Sequence, residues 1–346
     1  MILILKTFKD KKNFFLFLEF HVTIINMKLK KFIVNLVFSL IFLSAFCADI
    51  ETTKSITVDA AYYPKSDFIA GGNHFAPLTG AYSGVEGRVT GSLSYKIPTP
   101  LGDHWLLSDA NINVKINLEL SPVSIAPESK ISFTPLPFLV FETGAKLGTG
   151  WNLGGIQGMA LYNGSDAYDN LKPFNNWFTK FYVQGTFQFD TGALIDGDWS
   201  HVQIMYTYQA YYSALSGIKN TQIWKWQSSG NKANGWQNYQ NIVLAYQMPI
   251  VLSRVGVLTE IEGHYKDSDY NPAAYPAYKG SFKTISISPL MQFTFSETQN
   301  LAVLFGFSSR RSFAQEHTDS NVEPLLSYAG REWFFNRIAL SWTVKF

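Results

Sequence analysis

The nine residues Ile338-Ala339-Leu340-Ser341-Trp342-Thr343-Val344-Lys345-Phe346 alternate strictly and end on an aromatic ring. Successive side chains of a strand face opposite sides. Ile338, Leu340, Trp342, Val344 and Phe346 therefore form one apolar face, and Ala339, Ser341, Thr343 and Lys345 a small, polar one. The first face suits lipid and the second a polar lumen.

The same period recurs along the chain. In 85–97, Val85, Val89, Leu93, Tyr95 and Ile97 oppose Glu86, Arg88, Thr90, Ser92, Ser94 and Lys96. In 111–120, five aliphatic residues from Ile112 to Leu120 oppose Asn111, Asn113, Lys115, Asn117 and Glu119. Segments 181–190, 201–212, 284–295 and 301–310 repeat the pattern, and 55–63, 130–142, 239–248 and 252–265 do so more faintly. Charge, Gln and Asn on the polar faces exclude a packed soluble core. One-sided open sheets would need a covering layer, and no amphipathic helix is visible to supply it. Closure removes every edge. The expected fold is all-β: a closed antiparallel transmembrane β-barrel of about 12 strands, with 10 or 14 as alternatives.

Near the start, Met27-Lys28-Leu29-Lys30-Lys31, an apolar run over 32–46 and Ala45-Phe46-Cys47-Ala48 have the layout of a secretory signal. Residues 1–47 are expected to be the signal region, with translation starting at Met27 and cleavage after Cys47, and 48–346 to be the barrel. Phe46 stands where a lipid-attachment site wants a small residue, so Cys47 is not expected to be lipidated. Without seven Lys and two acids of that segment, 21 basic and 24 acidic residues remain, net −3. That leaves no basic footprint for nucleic acid. Charged residues make up only 16% of the chain, and aromatics as much again.

Short connections at 122–128, 191–198, 249–251 and 296–299 alternate with long ones at 64–80, 147–177, 213–238, 266–281 and 311–331, as periplasmic turns and extracellular loops do. Counting back from Phe346 gives eleven strands. The parity requires either a further strand near 66–82 or the exclusion of 55–63, and Ile223-Trp224-Lys225-Trp226 is another candidate strand.

Glu86, Arg88, Lys96, Lys115, Glu119, Arg254, Glu260, Glu262, His264, Arg310 and Arg337 fall on the polar register and are the pore-lining candidates. They could line an aqueous path or pair across the lumen and plug it. The glycine-rich loop 147–177 is expected to lie outside, with inward folding as the alternative. Trp224, Trp226 and Trp236 beside Gln227, Gln237 and Asn238 resemble a sugar-binding platform, but an interfacial aromatic belt is the expected reading of the loop tryptophans. Asp267-Ser268-Asp269 lacks the Gly and Glu of a calcium loop, so no metal or cofactor is expected. None of His74, His104, His201, His264 and His317 precedes a Ser by two residues, and no enzyme is expected.

Two resemblances follow from these residues. Segment 338–346 resembles the C-terminal recognition strand of bacterial outer-membrane proteins, with Val344 in place of the usual aromatic. That resemblance implies that Ile338, Leu340, Trp342, Val344 and Phe346 engage the barrel-assembly machinery. Leu118-Glu119-Leu120-Ser121-Pro122-Val123, Phe133-Thr134-Pro135-Leu136-Pro137-Phe138-Leu139 and Gly148-Thr149-Gly150-Trp151 resemble a spirochaetal family of outer-membrane barrels of unsettled function. The expected function is a porin-like channel for small polar solutes, its partners being outer-membrane lipid and those solutes. The alternatives are a non-conducting barrel acting as adhesin or anchor through its loops, and a transporter of hydrophobic compounds.

Overall fold

The computed structural model describes residues 50–104 and 106–346; the signal region, Met27 and the cleavage site after Cys47 lie outside the described residues. Twelve long strands form the wall: β1 (Glu51–Lys65), β2 (Gly80–Pro98), β3 (Asn111–Ser121), β4 (Ser124–Leu136), β5 (Leu139–Gly150), β6 (Phe178–Asp190), β7 (Val202–Leu215), β8 (Gly235–Gln247), β9 (Leu252–His264), β10 (Thr284–Ser296), β11 (Gln299–Phe313) and β12 (Tyr328–Lys345). Each pairs antiparallel with its chain neighbour, and β12 closes on β1 from Ser55↔Lys345 to Tyr62↔Ile338. The chain is a closed 12-stranded antiparallel barrel. No helix among the described residues is long and apolar enough to cross a membrane.

The alternation decides which face is which. Ile56, Val89, Leu118, Phe181, Leu244 and Trp342, from six different strands, are all exposed on the outside. A soluble protein rarely exposes a contiguous apolar surface beyond a few hundred Å². A continuous apolar belt with no free sheet edge is what a bilayer stabilises.

The expected count of 12 holds, but the parity is resolved by neither of the two expected routes. Segment 55–63 belongs to the wall, within β1. The extra strand is hidden in 130–142, which is not one strand but parts of two. Leu136 pairs with Leu139, so Pro137-Phe138 is a two-residue turn, and the register slips between Phe133 and Leu136. Pro135 cannot donate to a ladder, and the slip accommodates it. This hairpin reverses the directions that the count of eleven strands back from Phe346 implies for 111–120, 85–97 and 55–63. The connection expected at 122–128 shrinks to Pro122-Val123 and lies at the long-loop end. Ser121 and Ser124 pair across it with their hydroxyl oxygens 2.7 Å apart, and Trp151 caps it, its indole donating to Pro122 O at 2.9 Å.

Strand length varies around the barrel. β2 has 19 residues and β12 has 18, whereas β3 has 11. Above Tyr62, β1 gives up its place beside β12 to the two-residue strand His74–Phe75, which pairs parallel with Glu332 and Trp333. Loop 66–79 is held there by Glu332, which is 1% exposed and accepts from Ile69 N at 2.9 Å while forming an ion pair with Arg310. The Arg310 guanidinium lies over Phe68 at 3.8 Å and Phe334 at 4.4 Å.

Candidate functional site

The lumen is where the polar register converges, and the loops decide how much of it stays open. Met159–Tyr162 pairs with Tyr168–Asn170 on one side and with Trp224–Trp226 on the other, giving a three-stranded ribbon built from two loops. Its apolar side packs against the barrel's inner wall. Met159, Trp224 and Trp226 form one cluster with Ala126, Phe178 and Leu215, and Trp226 stacks on Phe178 at 4.7 Å. Ala160, Tyr162, Tyr168 and Ile223 join a second cluster with Tyr270, Tyr278 and Phe313. The ribbon therefore spans the mouth as a lid. The expectation of an outward loop at 147–177 is corrected: residues 147–150 belong to β5, and Met159–Tyr162 folds inward.

Trp224 and Trp226 are likewise corrected. They are neither belt aromatics nor part of a platform but the core of the lid, with Trp224 fully buried. Trp199, Trp236 and Trp342 are exposed on the outer side. Close backbone approach explains the glycines here. A Cβ on Gly158 would lie 2.0 Å from Val123 O, and one on Gly148 would lie 2.6 Å from the Trp226 ring. Gly148→Val is accordingly expected to expel Trp226 at a cost of about 2 kcal/mol. The loop should then be cut faster by trypsin at Lys225 and Lys232 while the wall stays resistant. An unchanged digestion rate would mean that the ring is not seated on β5.

Polar contacts pin the lid. Gln227 donates to Ser124 Oγ at 2.6 Å and to Glu119 Oε1 at 3.4 Å. Lys225 donates to Asn321 Oδ1 at 2.5 Å, and Asn231 donates to Glu323 at 3.1 Å. Beneath the lid, on the side of β1, β2 and β12, a cavity of about 250 Å³ remains, lined by Asp59, Glu86, Arg88, Gln227, Ser228 and Arg337.

Of the pore-lining candidates, Glu86, Arg88 and Arg337 meet in this cavity. Arg88 Nε binds Asp59 at 2.8 Å, and its Nη1 lies 3.7 Å from Glu119. Glu119 also holds Lys146 at 2.8 Å. Lys96 pairs with Glu51 at 3.3 Å near the opposite end. Lys115 faces Lys130, Glu128 and Glu142, and Lys130 lies 3.9 Å from Glu142. On the far wall, Glu260 accepts from Tyr239 at 2.6 Å, Glu262 accepts from Tyr211, and Arg254 donates to Gln292 at 3.3 Å. His264 is 3% exposed, bound to Asp269 at 2.9 Å and set against Tyr270, under the loops rather than on a lumen surface. Arg310 serves the loop 66–79 clamp.

Asp59 and Tyr63 were not among those candidates, although both lie on the inward register of 55–63. Gln227 stood out only as part of a platform resemblance, because nothing in a loop sequence says that it will fold inward onto Ser124 and Glu119. The acidic stretch at 267–271 divides its carboxylates: Asp269 faces His264, while Asp267 accepts from Ser281 N at 2.7 Å.

No protein-family model and no curated protein matches the chain. Among solved structures, the chain is similar to an outer-membrane channel of Pseudomonas putida F1, with 11% identity and a TM-score of 0.43 over 87% of this chain and 97% of that one. It is similar to the KdgM porin, with 11% identity and a TM-score of 0.34 over 84% and 99% of the two chains. The outer-membrane channel DcaP of Acinetobacter baumannii is similar too, at 10% identity and a TM-score of 0.34 over 87% and 98%.

Proposed function

We propose that the chain is an outer-membrane channel for passive diffusion of small polar solutes, narrowed by the lid. The observation that carries this reading is the ionised inner wall with a cavity left open beside the ribbon. A barrel of about 12 strands is too wide for its own side chains to fill, and charged groups facing one another across a wet lumen are inexpensive only while water reaches them. A carrier of hydrophobic compounds would want an apolar lumen. A surface-binding role is less favoured because Trp224, Trp226, Tyr270 and Tyr278 are committed to the lid core. The spirochaetal resemblance remains part of this proposal. The residues that carry it form the two tight turns at 122–123 and 137–138 and the cap at Trp151.

The test is single-channel conductance in a planar bilayer, on protein shown to be β-rich by circular dichroism. Stable steps that follow the bulk conductivity of the salt are expected. A folded barrel that stays electrically silent would overturn the proposal.

A further inference from the structure

Within the cavity, two opposite charges are held near each other without pairing. Glu86 stands on β2 and Arg337 on β12, with β1 between them. Glu86 lies in register with Ala61 and Ala339, and Arg337 is two residues further along β12, so at roughly 4.8 Å per strand and 3.3 Å per residue their backbones are about 12 Å apart. Tyr63 of β1 occupies the gap. Its hydroxyl donates to Glu86 Oε2 at 2.8 Å and also interacts with the Arg337 side chain. Glu86 Oε1 is buried with no hydrogen-bond partner. Arg337 has no carboxylate within 4.0 Å among the described residues, whereas Arg88 in the same cavity has Asp59 at 2.8 Å.

A buried carboxylate oxygen without a donor is costly, and a bound donor relieves that cost. An ammonium group is the strong donor for that oxygen, and a carboxylate is the planar, bidentate match for a guanidinium. A solute carrying only one of these groups would satisfy one side and leave an unbalanced charge in a site whose own charges cancel. Small wall residues, Ala61 and Ala339 among them, leave the space, and Gln227 of the lid roofs it.

We infer that this cavity is a binding site for a small zwitterion of the α-amino-acid type, with Glu86 taking the ammonium, Arg337 taking the carboxylate and Tyr63 keeping the two receptors apart. The inference rests on the proposed channel reading for its biological sense, but the site can be tested without conduction.

The probes are alanine and its two halves, propionate and ethylamine, each presented to the detergent-solubilised barrel in saturation-transfer NMR. Alanine is expected to give saturable transfer, with each half at least tenfold weaker. Glu86→Gln and Arg337→Gln should each weaken alanine about tenfold, and both variants should keep the heat-modifiable mobility of a folded barrel. Tyr63→Phe, which lets Glu86 and Arg337 close on each other, should weaken alanine while leaving the wall intact. Equal transfer from all three probes, or alanine transfer indifferent to all three substitutions, would overturn the site. Potassium chloride conductance of the same preparation judges the channel separately. A conducting barrel without alanine selectivity sinks only the site, and a silent barrel that binds alanine sinks only the channel.

Discussion

Replacing residues 219–230 with a short Gly-Ser turn is expected to raise the single-channel conductance several-fold. The excised piece contains Trp224, Lys225, Trp226 and Gln227, which supply one edge of the ribbon and most of its grip on the wall. Removing them takes two indoles from the first cluster, the Gln227 bonds to Ser124 and Glu119, and the Lys225 bridge to Asn321. Met159–Tyr162 then keeps only Tyr168–Asn170 as a partner, and a two-stranded ribbon is marginal alone. The wall itself should survive. The junction of β7 and β8 is held by Asn234, which accepts from Leu215 N at 2.8 Å and donates to Leu215 O at 3.2 Å, and both residues are retained. Planar-bilayer recording reads the effect, with circular dichroism confirming an unchanged strand content. If conductance stays at the wild-type level, the ribbon does not limit the path.

The lid should also respond to pH through Glu323, in the loop between β11 and β12. Loss of solvent around this carboxyl raises its pKa from 4.5 to about 7, even though Arg311 and the hydrogen bond from Asn231 pull the other way. An acid whose folded pKa is raised stabilises the closed form fully below its ordinary value, and that advantage is lost as pH rises through the folded one. Below about pH 4.5 the carboxyl is neutral whether the lid is packed or open. Above about pH 7 it is ionised in both, and the packed lid bears the whole desolvation cost. The difference is about 3 kcal/mol, or a few hundredfold in the open-to-closed ratio. Conductance at pH 8 should therefore exceed that at pH 5. Glu323→Gln, which keeps the amide near Asn231 without the charge, should hold the low-pH behaviour throughout. Recording across pH 5 to 8 decides the matter: a flat profile in the parent protein, or an unaltered profile in the variant, would remove Glu323 as the cause.

Most of the wall was legible in the residues, for a reason specific to this kind of protein. A strand with lipid on one side and a wet lumen on the other must alternate, so 85–97, 111–120, 181–190, 201–212, 284–295 and 301–310 announced themselves. The 130–142 hairpin escaped because its turn is apolar. Phe133, Leu136, Phe138, Leu139 and Phe141 run through the reversal, and nothing in hydrophobicity marks Pro137-Phe138 as a corner. The prolines did mark it, by their inability to donate to a ladder. Segment 55–63 looked faint because Ala60-Ala61-Tyr62-Tyr63 repeats each residue type on both faces. The lid was harder still. An indole that anchors a ribbon inside a barrel and one that sits at a lipid interface occur in the same loops with the same polar neighbours. The burial of Trp224 and the stacking of Trp226 on Phe178 distinguish them. The cavity's charges were partly readable from register, but that Tyr63 separates Glu86 from Arg337 depends on β12 meeting β1, a neighbourhood that exists only after closure.

The unequal strand lengths have a consequence for the entrance. β3 ends eight residues short of β2, which at about 3.3 Å per residue is roughly 25 Å measured along the strands. The rim is cut obliquely, with a high collar over β11, β12, β1 and β2 and a low sill at Pro122-Val123. In a bilayer such a rim does not face straight out. The low side sets the Pro122-Val123 turn and its Trp151 cap nearest the headgroups, so on the proposed channel reading the lipid surface beside β3 would bear on a solute's approach as much as the medium above.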